Sequence, residues 1–578
     1  MPALFALDDY QFCMSHLEGV YCLARFDLHS DHPNELITLI KEYSKYQKKH
    51  YNHSHVERGI CVTKTCRMFC EDKDLRKEVD LTDSLEKCFN KSMWEDYELK
   101  AKLSMIYYCD TYSEEEEIDS RDRIFMTTII FILILNIAGN CYDIYVKKTG
   151  RNLNGLGHVI LSSFSLKQNW KTLTSYESEN PKIARLNGLH GLRSIITQLT
   201  LLAHSLFTIT TFIDNPHEVE MSYEKPFYCI IYNGLVMMQI VFTISGFLLT
   251  YNLQIRSEKY EINWIYFPKI LIMRLCRIVP AYATVLFFTS TWFKHLGSGP
   301  LWKLYGRGIA DDCRNRWWHH LLFINNYTNM KNSSCLVQTW HVAAEMQLFT
   351  LGLAVHIATR HCGRRILLAL LLLVGAASPA LHVLLHDLDP LVLANPELFR
   401  ENQNDTFFKM HILSHNNLAG HVAGMITGYL IYHMQQNGKP VRNSKLFSLL
   451  IWWILPASVY VFLLGNIFYI EGYEVSFAFK LLYAGTQRVF AGTIGAIIII
   501  GLVFKLNVHM NIAFVILGTK TQLVHTSIFV AFMNYVVMAT MSFIIPLPLY
   551  LTVEAPVNKM VKTIIDQQDD QYSKMKEN

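Results

Sequence analysis

Charge is scarce in this sequence: only 18% of its 578 residues are Asp, Glu, Lys or Arg, against roughly a quarter in an ordinary soluble protein. That scarcity excludes a wholly water-soluble chain. Net charge is scarce too, because 53 basic and 49 acidic side chains leave only +4, too little to attract a nucleic acid through its phosphates. Residues 1–120 lack any apolar run long enough to cross a bilayer, and residues 1–30 lack the basic start and apolar core of an export signal. Either the first span exports what precedes it, or a signal peptide and the front of this region lie upstream of Met1. Missing as well is the paired Cys-x-x-Cys rhythm of a zinc site, since Cys61, Cys66 and Cys70 are spaced differently.

What is present is unevenly placed. Hydrophobic residues make up 51% of the chain, yet mean hydropathy is only +0.16, so the apolar residues must be concentrated in part of it. Seven of the 13 cysteines, Cys13, Cys22, Cys61, Cys66, Cys70, Cys88 and Cys109, fall in residues 1–120, together with the glycosylation sequons Asn52-His53-Ser54 and Asn90-Lys91-Ser92. The combination reads as a disulfide-bonded extracytoplasmic module. Seven is odd, so one thiol stands outside the pairing. The competing reading is a reduced cytosolic domain, with His50, His53 and His55 beside the cysteines as its support.

Beyond an acidic cluster at Glu114–Glu117, apolar stretches near 124–146, 190–212, 227–250, 278–294, 338–358, 366–386, 412–433, 446–469 and 477–504 each approach the ~20 residues that cross a bilayer core, and a further apolar region fills 512–552. The last makes either two short spans or one long span with a buried segment. After the first span, Lys147, Lys148, Arg151, Lys167, Lys171, Lys182, Arg185 and Arg193 face only Glu177 and Glu179, which assigns that loop to the cytosol. The following loops alternate: acidic around Asp214–Glu224, basic around Arg256–Arg277 and Arg360–Arg365, and basic again at Lys439, Arg442 and Lys445. The sequons at Asn326, Asn332 and Asn404 all fall in loops that this alternation places in the lumen. So does the isolated pair Cys313 and Cys335, for which a disulfide is expected. The fold class is therefore an all-α polytopic membrane protein of about ten or eleven transmembrane helices, with a small disulfide-bonded N-terminal extracytoplasmic domain.

Several polar residues fall inside these spans, where an ionisable side chain is costly and marks function by default. Arg193 and His204 are eleven positions apart, which on a helix returns to within about 20° of the same face and separates them by roughly 16 Å. Arg193 then lies at the cytosolic mouth with His204 buried above it. Imidazole is suited to taking a proton from a hydroxyl at neutral pH; the alternative is a histidine hydrogen-bonded between helices. Arg274 and Arg277, at i and i+3 before Pro280, share a face and are able to grip a phosphorylated ligand or simply to anchor topology. Ser245-Gly246 is a small pair that admits a ligand or, more ordinarily, a neighbouring helix. Glu345, in Trp340-His341-Val342-Ala343-Ala344-Glu345, supports the histidine or pairs with a buried arginine. Arg488, within the ninth span, must pair with an acid or face a cavity. His411, His415 and His421 read as interface histidines rather than as a metal site, and no metal is expected.

Four blocks in order resemble the acyltransferase-3 membrane superfamily: Leu186-Asn187-Gly188-Leu189-His190-Gly191-Leu192-Arg193 with His204, Phe242-Thr243-Ile244-Ser245-Gly246-Phe247-Leu248-Leu249, Arg274-Leu275-Cys276-Arg277-Ile278-Val279-Pro280-Ala281-Tyr282, and Thr339-Trp340-His341 to Phe349. Ahead of them, Tyr10 to Cys13, Gly19-Val20-Tyr21-Cys22, Gly59-Ile60-Cys61-Val62 and Cys66 resemble the cysteine module of the animal nose-resistant-to-fluoxetine group. The resemblance implies O-acyl transfer from cytosolic acyl-CoA to a hydroxyl of a lipid, sterol or glycan, that is, a lipid or carbohydrate acceptor. In it His204 would be general base, Glu345 would support the catalytic site, and Arg193, Arg274, Arg277 and Ser245 would bind the donor. The rival function is a lipid transporter or lipid-binding protein on the same fold. His341 stands where the family usually has an aromatic residue or Ser, and the Leu517-Gly518 to His525 block is shorter than the family's. The implied organisation is residues 1–120 as the cysteine-rich module, 124–146 as the first span, 147–185 as a basic cytosolic linker, 186–556 as the acyltransferase-like membrane domain and 557–578 as a polar tail. The implied setting is an endomembrane or the plasma membrane, with the lipid bilayer as partner.

Overall fold

The computed structural model describes the chain except for residues 71–77, 112–116, 151–154, 176–185, 211–212, 214, 226–227, 229–230, 329–332, 402–403, 438–444, 505–525 and 566–578. Most of the Glu114–Glu117 cluster, Arg151, Lys182, Arg185, Asp214, Asn332, Lys439, Arg442, the Leu517-Gly518 to His525 block and the end of the tail lie outside the described residues.

The N-terminal module is built on a four-stranded sheet of order β1-β3-β2-β4, comprising β1 (Phe5–Leu7), β2 (Val20–His29), β3 (His55–Cys61) and β4 (Lys100–Thr111). The first strand pairs parallel with β3, and β2 pairs antiparallel with β3 and β4. Against it pack α1 (Glu35–Ser44) and α2 (Glu78–Tyr97). The first of these begins at Asn34, whose side chain accepts from the amides of Leu36 and Ile37, satisfying donors that a helix start leaves open. Phe26, Ile40, Val56, Leu85 and Leu99 form the core. So small a domain gains from covalent staples, and three are present: Cys13–Cys61, Cys22–Cys109 and Cys66–Cys88. Cys70 is the odd cysteine, its thiol donating to the Val62 carbonyl. The sheet itself was not legible from cysteine spacing.

Eight helices among the described residues are long and apolar enough to cross a membrane. The first, α3 (Ser120–Thr149), starts with a reciprocal cap between Asp119 and Asp122 and ends at Gly150, whose φ of 62° suits glycine. After it come α4 (Asn187–Thr210), α5 (Met238–Ser257), α6 (Tyr266–Ser290), α7 (Gly308–Leu321), α8 (Trp340–Ala358), α9 (Arg364–His386), α10 (Leu418–Gln436), α11 (Lys445–Ser458), α12 (Phe477–Val503) and α13 (Thr526–Ile544). Helices α4 and α10 lie where the second and seventh spans were expected but are not among the eight, because Arg193 and His204 in one, and His421 and His433 in the other, dilute their apolar content. In the C-terminal apolar region the helical segment Tyr535–Ile565 is one of the eight, so helix continues past 557, where the polar tail was expected to begin.

The centre of the bundle is α5, α10 and α12. Gly420, Gly424 and Gly428 recur every fourth residue on α10, and a Cβ on Gly424 would stand 2.0 Å from the Thr243 carbonyl oxygen. A Cβ on Gly246 of α5 would meet the His421 carbonyl at 2.1 Å. The two backbones thus touch through small residues, the usual solution where no hydrophobic drive holds helices together. Helices α3, α6 and α9 expose most of their apolar surface, as lipid-facing helices do.

The module is bound to one face of the bundle by buried ion pairs. Glu220 accepts from the Tyr51 amide and His53 Nε2, both at 2.9 Å, and from the Tyr43 hydroxyl at 2.9 Å. Arg400, almost wholly buried, donates from Nε to Glu57 at 3.1 Å and to the carbonyls of Asn52 and His55. Arg314 joins α7 to the start of α3 through Asp119 at 2.5 Å and Asp122 at 2.7 Å. The expected Cys313–Cys335 bridge closes the loop beside it. Asn326 departs from expectation as a glycan site: it is 1% exposed, and its Nδ2 donates to the Ile412 carbonyl and to Ser414 Oγ.

Candidate active site

Three helices bring the candidate residues together. Arg274 turns inward from α6 and donates from Nη2 to Glu345 Oε1 on α8 at 2.7 Å, while its guanidinium lies 4.0 Å over the Phe349 ring. Of the two readings of Glu345, the arginine pair is the one observed. Arg277, one helical turn on, is exposed, and so is Arg193 of α4, which lies within electrostatic reach of Arg277, Glu345 and Arg274. Together they form a cationic patch on one half-buried acid, with Arg193 and Arg277 open to a ligand. Such an array suits a polyanion such as a phosphorylated donor.

Ser245 of α5 is buried beneath Glu345 and interacts with it, but its Oγ makes no hydrogen bond of normal geometry among the described residues. Its neighbour Gly246 serves helix packing. His204 corrects an expectation: it is exposed, not buried. The reason is rotational. Helix α4 buries Leu189, Leu192 and Ile196, and His204 lies eight residues beyond Ile196, about 80° from that stripe.

Two histidines connect this group in ways the motifs did not reveal. His341 is within electrostatic reach of both the expected base His204 and the acid Glu345. Its i, i+4 spacing to Glu345 was the available signal. His421, buried in the contact between α5 and α10, is within reach of Arg274 and Glu345, with no hydrogen bond of normal geometry to either ring nitrogen. Only its position in a span pointed to it. Glu554, in the C-terminal helical segment, faces Arg277 electrostatically.

The other singled-out histidines do not converge. His415 Nε2 lies 2.9 Å from His382 Nε2 and its Nδ1 2.8 Å from the Tyr327 hydroxyl, whereas His411 packs edge-on to Trp340. No group of three metal-ligating side chains occurs among the described residues.

No family model matches the sequence, and no solved structure matches it. Among curated proteins, nose resistant to fluoxetine protein 6 of Caenorhabditis elegans is 24% identical over 366 residues, covering 57% of this chain and 42% of the relative. The chain thus aligns with less than half of that protein's length. With its disulfide-bonded module and its membrane helices, this multi-pass membrane protein is thus similar to a nose resistant to fluoxetine protein over a little more than half of its own length.

Proposed function

We propose that the chain is a membrane O-acyltransferase of the acyltransferase-3 kind, taking the acyl group from cytosolic acyl-CoA. The observation that carries the reading is the convergence of Arg193, Arg274, Arg277 and Glu345 from α4, α6 and α8. Arg193 and Arg277 hold the phosphates of the donor, and Glu345 fixes the Arg274 guanidinium. His204 takes the proton of the acceptor hydroxyl as its oxygen attacks the thioester carbonyl; the carbon–sulfur bond breaks, and the thiolate of coenzyme A leaves and is protonated. His204 is exposed and so open to an acceptor, and a lipid or sterol hydroxyl arriving through the bilayer is the acceptor this reading favours. His341, within electrostatic reach of His204 and Glu345, is a positioning residue. The module then sits on the lumenal or extracellular side, in keeping with its disulfides.

The test is turnover of acyl-CoA by purified protein with a lipid extract. Acylated product formed by the wild type and lost in His204→Ala supports the proposal. Lipid movement between vesicles that survives this substitution, without acylated product, is the outcome expected of a carrier.

A further inference from the structure

Arg488 of α12 lies deep in the bundle with 4% of its surface exposed. Its Nη1 donates to the Asn416 carbonyl at 2.9 Å and to Asn417 Oδ1 at 3.0 Å. Both acceptors are neutral. Among the described residues no carboxylate pairs with it, and no acidic group lies within electrostatic reach. The ion pair expected of an arginine inside a span is therefore absent there, and the other branch of the expectation, a cavity, is what the structure contains.

That cavity is lined by Arg488, Gln487, Gln239, Asn233, His411 and Met410 and has room for about one water-sized sphere. The Nε and Nη2 of Arg488 make no hydrogen bond among the described residues, and neither is among the atoms sealed from space. His411, 5% exposed, has no partner at Nε2. His382, His411 and His415 all lie within the field of Arg488, so the surroundings supply neutral or positive groups and no counter-charge. A lone cation held this deep costs several kcal/mol unless an opposite charge joins it. A water would satisfy the two nitrogens without offsetting the charge.

We propose that this cavity is a binding site for a small monatomic anion, chloride under physiological conditions, held by Nε and Nη2 of Arg488. Chloride is somewhat larger than a water, so the lining side chains must give by a few tenths of an ångström to admit it, whereas carboxylates and phosphates need several times the room. The site is separate from the Arg274–Glu345 group and does not rest on acyl transfer.

The experiment is retention of radioactive chloride by the purified full chain in detergent, with unlabelled bromide, acetate and phosphate as competitors. Retention near one chloride per chain, displaced by bromide, resistant to acetate and phosphate, and lost in Arg488→Gln is the expected result. Should that variant fail to fold, Arg488→Lys, which keeps the charge but lacks the second nitrogen, is expected to weaken retention by about tenfold for the charge-assisted bond lost. No saturable retention by the folded wild type, retention unaltered in a folded Arg488 variant, or displacement by acetate and phosphate as readily as by bromide would each overturn the proposal.

Discussion

At the scale of single residues, Arg274 and Arg277, a pair by their spacing in the sequence, have different surroundings in the fold. Arg274 is committed to Glu345, whereas Arg277 is exposed. Arg277→Ala is therefore expected to weaken acyl-CoA binding by about 1 kcal/mol or more with unchanged thermal stability, as read by titration and by unfolding in detergent. Arg274→Ala is expected to lower stability as well, because Glu345 loses its partner, by about 1–3 kcal/mol; if both variants bind donor like the wild type, the patch is only a topology anchor. The Arg193, Arg274, Arg277 and Ser245 positions were legible because their motifs keep fixed spacings on helices. The outward turn of His204 was not, since spacing relates residues on one helix and says nothing of which face its neighbours cover. His421 joins the group through contacts between helices, which no local pattern encodes, whereas His341 shares α8 with Glu345 at i, i+4 and carried a local signal.

Secondary-structure elements carry the second level. The glycine stripe of α10 leaves no room for a Cβ against α5, so Gly424→Val is expected to destabilise the bundle by about 3 kcal/mol, measured by thermal unfolding; an unchanged midpoint would mean the helices can separate without loss. The module's hold on the bundle is titratable. Burial alone would raise the Glu220 carboxyl, but His50 at 3.8 Å, the hydrogen bond and charge of His53 and the Tyr51 amide together hold it down to about 2, against an ordinary 4.5. The folded value is depressed, so its contribution is present above the unfolded pKa and is lost as pH falls from about 4.5 towards 2. By linkage that contribution is about 3 kcal/mol. Hydrogen exchange at the α1 and β3 contact with the bundle is expected to rise across this window in the wild type, and Glu220→Gln is expected to flatten the profile. An identical acid profile in the variant would remove Glu220 from the interface. The spans were legible as elements because long apolar runs have few alternatives. The sheet was not, because β2 is continuously buried from Tyr21 to Ala24 and alternates only over its second half, Arg25 to His29, too short a run to mark a strand.

In the whole molecule a disulfide-stapled module sits on one face of a helical bundle, and the candidate transfer group lies within the bundle among α4, α6 and α8. If the module lies on the glycosylating side, peptide mapping after deglycosylation is expected to mark Asn90 and not Asn326, whose amide is occupied inside the fold; a glycan on Asn326 would contradict the packing of that loop. The central claim, however, is chemical. Its most direct test is acyl-CoA consumption by purified wild-type protein and His204→Ala with a mixed lipid extract, followed by mass spectrometry of the products. The account predicts a new acylated species from the wild type and a loss of about 10²-fold or more in the variant, with both proteins equally folded. Equal turnover in the two, or lipid movement without any acylated product, would contradict it.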